Sequence, residues 1–204
     1  MPGRLITFEG IDKSGKTTHA KKLSNYLKKK GYKVLVVRDP GGTEISERIR
    51  KILLDKRNHL SAASELFLYL AARQQLVSEI IKPAMRRNKI VISDRYCDST
   101  LAYQGYGRGL NIDLVDRMLK SFFPVPHLTI LIDLPVPLAK KRFGVNKPDR
   151  LEKENYSFHQ KVRKGYLDIA QKNRKRVKVV PGTGDLALTW KEVRKIADNY
   201  LKIR

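Results

Sequence analysis

LITFEGIDKSGKTT, running from Leu5 to Thr18, decides the fold. Its first half reads as a buried strand, because Leu5, Ile6 and Phe8 are large and apolar and Thr7 is β-branched. The strand runs directly into Gly10–Thr17, GIDKSGKT, which matches G-x-x-x-x-G-K-[ST] in full, and a helical pattern follows over Thr18 to Lys30. The spacing has a physical reason. Glycines let the backbone curl until successive N–H groups point inward at phosphate oxygens, and a helix starting near Lys16 adds the positive end of its dipole. Lys16 then reaches the β and γ phosphates, and the Thr17 hydroxyl takes a Mg²⁺ ligand position. Gly10, Ile11, Asp12, Lys13, Ser14, Gly15, Lys16, Thr17 and Thr18 are therefore the candidate contacts of a nucleoside triphosphate. The cradle does not require Asp12 or Lys13, so each is either a ligand group or a solvated loop side chain.

Four more β-branched runs lie downstream: Val34 to Val37, Ile90 to Ile92, Leu128 to Ile132 and Val177 to Val180. Every gap between them has room for a helix, which is what a parallel sheet covered on both faces needs; the fold class is α/β. Helical periodicity is clearest over Ser64 to Arg87, Phe158 to Lys172 and Trp190 to Leu201. GYGRG (Gly105 to Gly109) and GVNKPD (Gly144 to Asp149) read as surface loops, too rich in Gly, Pro and polar residues for a core. Beside basic helix ends, such a loop either closes over a phosphate-bearing ligand or merely connects. With no repeat and no linker, residues 1–204 read as one domain.

Composition narrows the function classes. Hydrophobic residues make up 41% of the chain, enough for a core, and 43 Lys and Arg against 20 Asp and Glu leave a formal net charge of +23 that attracts polyanions. Yet the basic runs Lys28 to Lys30 and Arg174 to Arg176 have no interleaved aromatics and no reader motif is present, so specific nucleic-acid recognition is not expected. No apolar run approaches the roughly 18 residues of a membrane helix, and MPGRLITFEG lacks the apolar stretch of a signal peptide. The single cysteine, Cys97, excludes an internal disulfide and a multi-cysteine metal site. A soluble, cytoplasmic protein with no membrane partner is expected.

A second diagnostic stretch, SDRYCDSTLAYQG, spans Ser93 to Gly105. Asp94 falls at the carboxyl edge of the sheet, where it joins Thr17 as a candidate metal ligand, and the planar fork of Arg95 suits a phosphate. Tyr69 and Arg73, four residues apart on one helix face, either grip a planar base together or are a core tyrosine and a rim arginine. GIDKSGKTT, RDPGGT (Arg38 to Thr43), LAAR (Leu70 to Arg73), DRY with AYQG, and DRLE (Asp149 to Glu152) occur in this order. Over nearly the whole chain the sequence resembles the thymidylate kinases.

That resemblance implies the P-loop NTPase three-layer fold, a five-stranded parallel sheet flanked by helices with a short lid at about residues 141–152. It also implies transfer of the γ-phosphoryl group of ATP to dTMP with Mg²⁺, by a chain that is commonly a homodimer. By position, it assigns Asp12 to the deoxyribose 3′-hydroxyl, Tyr69 to stacking on thymine, Arg73 to the thymine carbonyl, and Arg38 and Arg95 to the dTMP phosphate. Tyr103 and Gln104 close the base and sugar pocket. Arg142 packs on the donor adenine near Pro181 to Asp185, and Arg150 approaches the transferred phosphate. Many members carry Phe where this chain has Tyr69. The apolar face of Leu66 to Leu76 serves either a dimer contact or the core.

Phosphoryl transfer spreads charge over the equatorial oxygens, so cations must converge on them. Lys13, Lys16, Arg95, Arg142 and Arg150 are the catalytic candidates, with Lys147 nearby in the lid. A deoxynucleoside kinase is the alternative: it shares the loop and the DR pair but needs a carboxylate base, for which Glu9 is placed.

Overall fold

β1 (Arg4–Glu9), β2 (Val34–Arg38), β3 (Ile90–Asp94), β4 (Leu128–Asp133) and β5 (Val177–Pro181) form one parallel sheet in the order β2-β3-β1-β4-β5. They coincide with the five β-branched runs. The computed structural model describes residues 2–142 and 149–203. Register sets Phe8 beside Asp94 and Arg38 beside Asp94, so the carboxyl ends of β1, β2 and β3 finish level. β3 is buried along its whole length, whereas the edge strands β2 and β5 are partly open.

Strand alternation feeds two separate cores. Ile6 and Phe8 pack with Leu23 and Leu27 of α1 (Lys16–Lys29) and with Val193 and Ala197 of α9 (Leu186–Leu201). Leu5 and Leu131 face the other way. They join Leu76 of α3 (Ala62–Leu76), Val115 of α6 (Ile112–Phe122), and Val162 and Tyr166 of α8 (Tyr156–Lys172). The remaining helices are α2 (Glu44–Leu54), α4 (Lys82–Arg86), α5 (Cys97–Thr100) and α7 (Val136–Lys141).

Two sequence expectations are corrected, and a third lies almost wholly outside the described residues. Ser64 to Arg87 is not one α-helix: α3 passes through a π-helical turn, Val77–Ile81, into α4. Pro83 supplies the reason, since it lacks an N–H and its ring crowds the carbonyl four residues back. Gly105 to Gly109 is largely not a surface loop, because Leu101–Gly107 is π-helical and Gly105 is buried. Its glycine serves close packing: a Cβ on Gly107 would come within 2.7 Å of Phe158, as one on Gly165 would of Tyr106, so α8 and this turn meet backbone to ring. Of GVNKPD, only Asp149 lies within the described residues; Lys147 lies outside them. Asp149 Oδ1 accepts from the amides of Leu151 and Glu152, which folds DRLE into a turn at the carboxyl side of that segment.

Candidate active site

The phosphate loop adopts its curl through three left-handed residues, Gly10 (φ 137°), Lys13 (φ 63°) and Gly15 (φ 97°). Gly10 has no room for a side chain, since a Cβ there would lie 2.4 Å from the Ile132 carbonyl oxygen. α1 begins at Lys16 with no side-chain cap and no acid in its first turn, so its amides stay available to an anion. Lys16 is buried and its ammonium donates to the Ile11 carbonyl at 3.0 Å. Burial, and then Arg95, push its pKa down. The buried Ser14 hydroxyl has no partner among the described residues.

Asp12 lies where the loop meets the acceptor side. Its Oδ1 is 2.5 Å from Arg95 Nη2 and 3.6 Å from Lys16 Nζ, and its Oδ2 accepts from the Tyr103 hydroxyl at 2.9 Å. Burial alone would raise this carboxyl, but Arg95 and Lys16 outweigh it and hold it well below the usual carboxylate range. Thr17 donates to Asp94 Oδ2, while Asp94 Oδ1 is buried without a partner among the described residues. One hydroxyl and one carboxylate with a spare oxygen form an oxygen-only pair that suits Mg²⁺, which keeps phosphate and water as its other ligands. Among the described residues no cluster of three His, Cys, Asp or Glu offers a metal cage.

Beside this cluster opens a cavity of about 510 Å³, counting its mouth, lined by Asp12, Tyr69, Arg73, Arg95, Tyr103 and Gln104 among others. The structure thus brings together the sequence-assigned acceptor residues, except Arg38. That side chain is bound by Glu47 through both carboxylate oxygens at 2.9 and 3.0 Å and faces a groove beside Thr17 and Asp94. Arg73 is neither a rim residue nor loosely held: only 1% of its side chain is exposed. Its Nε meets Asp39 Oδ2 at 2.5 Å, Nη2 donates to the Tyr96 carbonyl and the Thr100 hydroxyl, and Nη1 has no partner among the described residues. Tyr69 stands on the same face of α3, and no described residue takes a hydrogen bond from its hydroxyl.

The lid residues are differently employed. Arg142 spans the two donor-side loops, donating to the Lys13 carbonyl at 3.3 Å and to the Gly182 carbonyl at 3.0 Å. Lys13 Nζ lies 3.8 Å from Glu152. Arg150 is engaged lower down, with Glu65 at 2.6 Å and the Leu53 carbonyl at 2.8 Å.

Sequence reasoning missed several polar groups. Glu65 is fully buried and receives Gln104, Arg108 and Arg150, tying α3 to the π-helical turn and to the root of the lid. A signal existed, since Glu65, Tyr69 and Arg73 recur every four residues on one helix face. Asp39, which neutralises Arg73, lies within RDPGGT but had no role read for it, and Arg50, which lines the cavity and donates to the Pro40 carbonyl, left no pattern.

Glu9 is not among the residues lining the cavity; it lies under Ser99, with Oε2 accepting from Ser99 at 2.6 Å and from Tyr166 at 3.2 Å. A base for a bound acceptor would have to face the cavity, and Glu9 does not. Burial, then the like charge of Asp98, push its carboxyl from 4.5 up to about 8. The folded chain therefore holds a proton that the unfolded chain releases, and this residue's contribution to stability falls as pH rises from about 4.5 to about 8, levelling above. In scanning calorimetry the Tm of Glu9→Gln minus that of the wild type is expected to widen between those pH values. A constant difference would mean that Glu9 titrates normally.

Known proteins match this architecture closely. Residues 8–193 fit the family model described as thymidylate kinase. A thymidylate kinase of Thermoanaerobacter sp. (strain X514) is 44% identical over 203 residues, covering 98% of this chain and 100% of the relative. Another, from Syntrophotalea carbinolica, is 47% identical over 192 residues, 89% of each chain. The crystal structure of thymidylate kinase from Ehrlichia chaffeensis matches with a TM-score of 0.80 at 37% identity, over 97% of this chain and 99% of that one. Agreement of that length, in sequence and in backbone, on a sheet that ends in a phosphate loop facing an arginine-lined cavity means that this chain belongs to the thymidylate kinase family.

Proposed function

We propose that the chain transfers the γ-phosphoryl group of ATP to dTMP, giving dTDP, with Mg²⁺ as cofactor. The observation that carries this reading is the junction at Asp12, where Lys16 of the phosphate loop and Arg95 of the acceptor cavity converge on one carboxylate. Donor and acceptor phosphates brought to those two cations would meet in line, and the attacking phosphate oxygen of dTMP is already ionised, so positioning replaces a general base.

Each residue then has a task. Lys16 exchanges the Ile11 carbonyl for phosphate oxygens, and the amides from Gly10 to Thr18 cradle the triphosphate. Thr17 and Asp94 would hold Mg²⁺, which would supply charge neutralisation to the triphosphate. Arg73 offers its unpaired Nη1 to a thymine carbonyl, a match a buried donor rewards, while Tyr69 stacks on the ring and Gln104 and Tyr103 close the pocket. Asp12 receives the 3′-hydroxyl. Arg95 takes the dTMP phosphate. Arg38 joins it by leaving Glu47, an exposed pair that costs little to break. Arg142, pinned to both donor-side loops, presents its flat face to adenine.

A coupled ADP-release assay with dTMP, dUMP, dCMP, the ribose form of TMP and thymidine as acceptors tests the reading. dTMP should give the highest kcat/KM; preference for thymidine would overturn it in favour of a nucleoside kinase.

Cation supply can be apportioned. Lys13→Ala is expected to lower kcat roughly tenfold to a thousandfold with little change in either KM. Arg150→Ala should instead act on acceptor KM and stability, because Arg150 is committed to Glu65. A silent Lys13→Ala beside an Arg150→Ala crippled in kcat would assign the chemistry to the lid.

Ile45 and Ile52 on α2 and Phe67 on α3 are exposed apolar side chains on two helices that pack together, and they support a homodimer. Leu66, Leu70 and Leu76 of α3 belong to the core. No helix among the described residues is long and apolar enough to cross a membrane, and we place the enzyme in the cytoplasm, without a specific nucleic-acid partner.

A further inference from the structure

We infer that Glu9, acting through the hydroxyls of Ser99 and Tyr166, is a positioning residue that aims Arg95 at the phosphate of the acceptor. The inference rests on the reading of Arg95 given above. Arg95 leaves β3 in a left-handed conformation (φ 69°), with its N–H bonded to the Phe8 carbonyl and its own carbonyl accepting from Ser93. The backbone therefore delivers the side chain to one place, and the remaining question is which edge of the guanidinium faces the cavity.

The hydrogen bonds answer it. Nη1 donates to the Gly10 carbonyl at 3.1 Å, to Ser99 Oγ at 3.2 Å and to the Tyr166 hydroxyl at 3.1 Å. Nη2 lies between Asp12 and Tyr103, and no described residue accepts from Nε. Nη1 is thus anchored on protein, Nε is open, and Nη2 can exchange Asp12 at 2.5 Å and the Tyr103 hydroxyl at 3.2 Å for an oxyanion, so the Nε and Nη2 edge, a bidentate edge of an arginine, is the one that an acceptor phosphate takes. An arginine can only donate, so Ser99 and Tyr166 must both turn lone pairs toward Nη1 and send their single protons elsewhere. Glu9 Oε2 is the buried acceptor that takes them, 2.6 Å from Ser99 and 3.2 Å from Tyr166, with Ser99 and Tyr166 themselves 2.7 Å apart. Without that acceptor, either hydroxyl could turn its proton onto the guanidinium and push it off the anchoring position.

Titration calorimetry with dTMP and with thymidine, which lacks the phosphate, tests the inference on the intact chain. Tyr166→Phe is expected to weaken dTMP binding about tenfold while thymidine affinity changes less than twofold. Glu9→Met should do the same, and Glu9→Gln, whose amide oxygen can take the place of Oε2, should restore the wild-type ratio of the two affinities. Thermal melts confirm that each variant is folded. Equal weakening of both ligands, an unchanged ratio in Tyr166→Phe, or a Glu9→Gln as defective as Glu9→Met would overturn the proposal. Arg95→Ala separates the two levels: if it lowers dTMP affinity and Tyr166→Phe does not, the relay fails alone, whereas a silent Arg95→Ala sinks both the relay and the acceptor-phosphate reading.

Discussion

Replacing Lys16 by Ala is expected to lower kcat at least about a hundredfold, which corresponds to about 2.7 kcal/mol of lost transition-state stabilisation. The loss falls on kcat because the ammonium gains most where charge builds on the transferred group. Among the described residues it is held by the Ile11 carbonyl and by Asp12 at 3.6 Å, contacts that a phosphate can displace. The fold should survive. Asp12 keeps Arg95 and Tyr103 as partners, and the Ile11 carbonyl that is freed sits in a loop. Turnover at saturating ATP and dTMP, with a thermal melt as control, decides the matter; unchanged kcat in a folded variant would mean that the loop does not serve phosphoryl transfer.

Arg73→Met is the second large effect, and it appears first as stability. Removing the guanidinium leaves the Asp39 carboxylate, fully buried, without its counter-charge, a loss of about 3–5 kcal/mol for a broken buried pair. Burial already pushes the Asp39 carboxyl up, and the arginine beside it, which cannot give up its proton, keeps the contact ionic. At roughly 2–4 °C per kcal/mol for a chain of this size, Tm should drop by about 6–20 °C. Adding Asp39→Ala should recover part of that drop, because no lone charge is then left in the interior. dTMP affinity should not recover, since the donor at Nη1 is gone. Losses that simply add in the double variant would show that the two side chains are not coupled.

The sheet was readable because its signals are local. Each strand is a short β-branched run, and the chemistry of GIDKSGKT is the chemistry of a backbone curl that a few glycines permit. α2 and α6 carried weaker signals that can now be recognised: Thr43 caps one through the Ser46 amide, and Asn111 the other through the Leu114 amide. The π-helical turns at Val77–Ile81 and Leu101–Gly107 could not be read from periodicity, because a widened turn breaks the very period on which such a reading depends. GYGRG misled for a related reason. Glycine marks a loop in most contexts, but here it allows a helix to lie against Phe158.

By itself, then, the sequence determined the parallel α/β class, the phosphate loop with Lys16 and Thr17, and, through the order of its motifs, most of the side chains that line the cavity, Arg38 excepted, since each is announced by residues next to it in the chain. Tertiary structure alone decided the partners of those side chains. Arg73 proved to be half of a buried ion pair with a residue 34 positions away, Arg95 to rest on hydroxyls from α5 and α8, and Arg150 to be committed to Glu65. Charge partners are chosen by proximity in a low-dielectric interior, where an unpaired polar group is costly, and proximity between distant segments is a property of packing that no local pattern encodes.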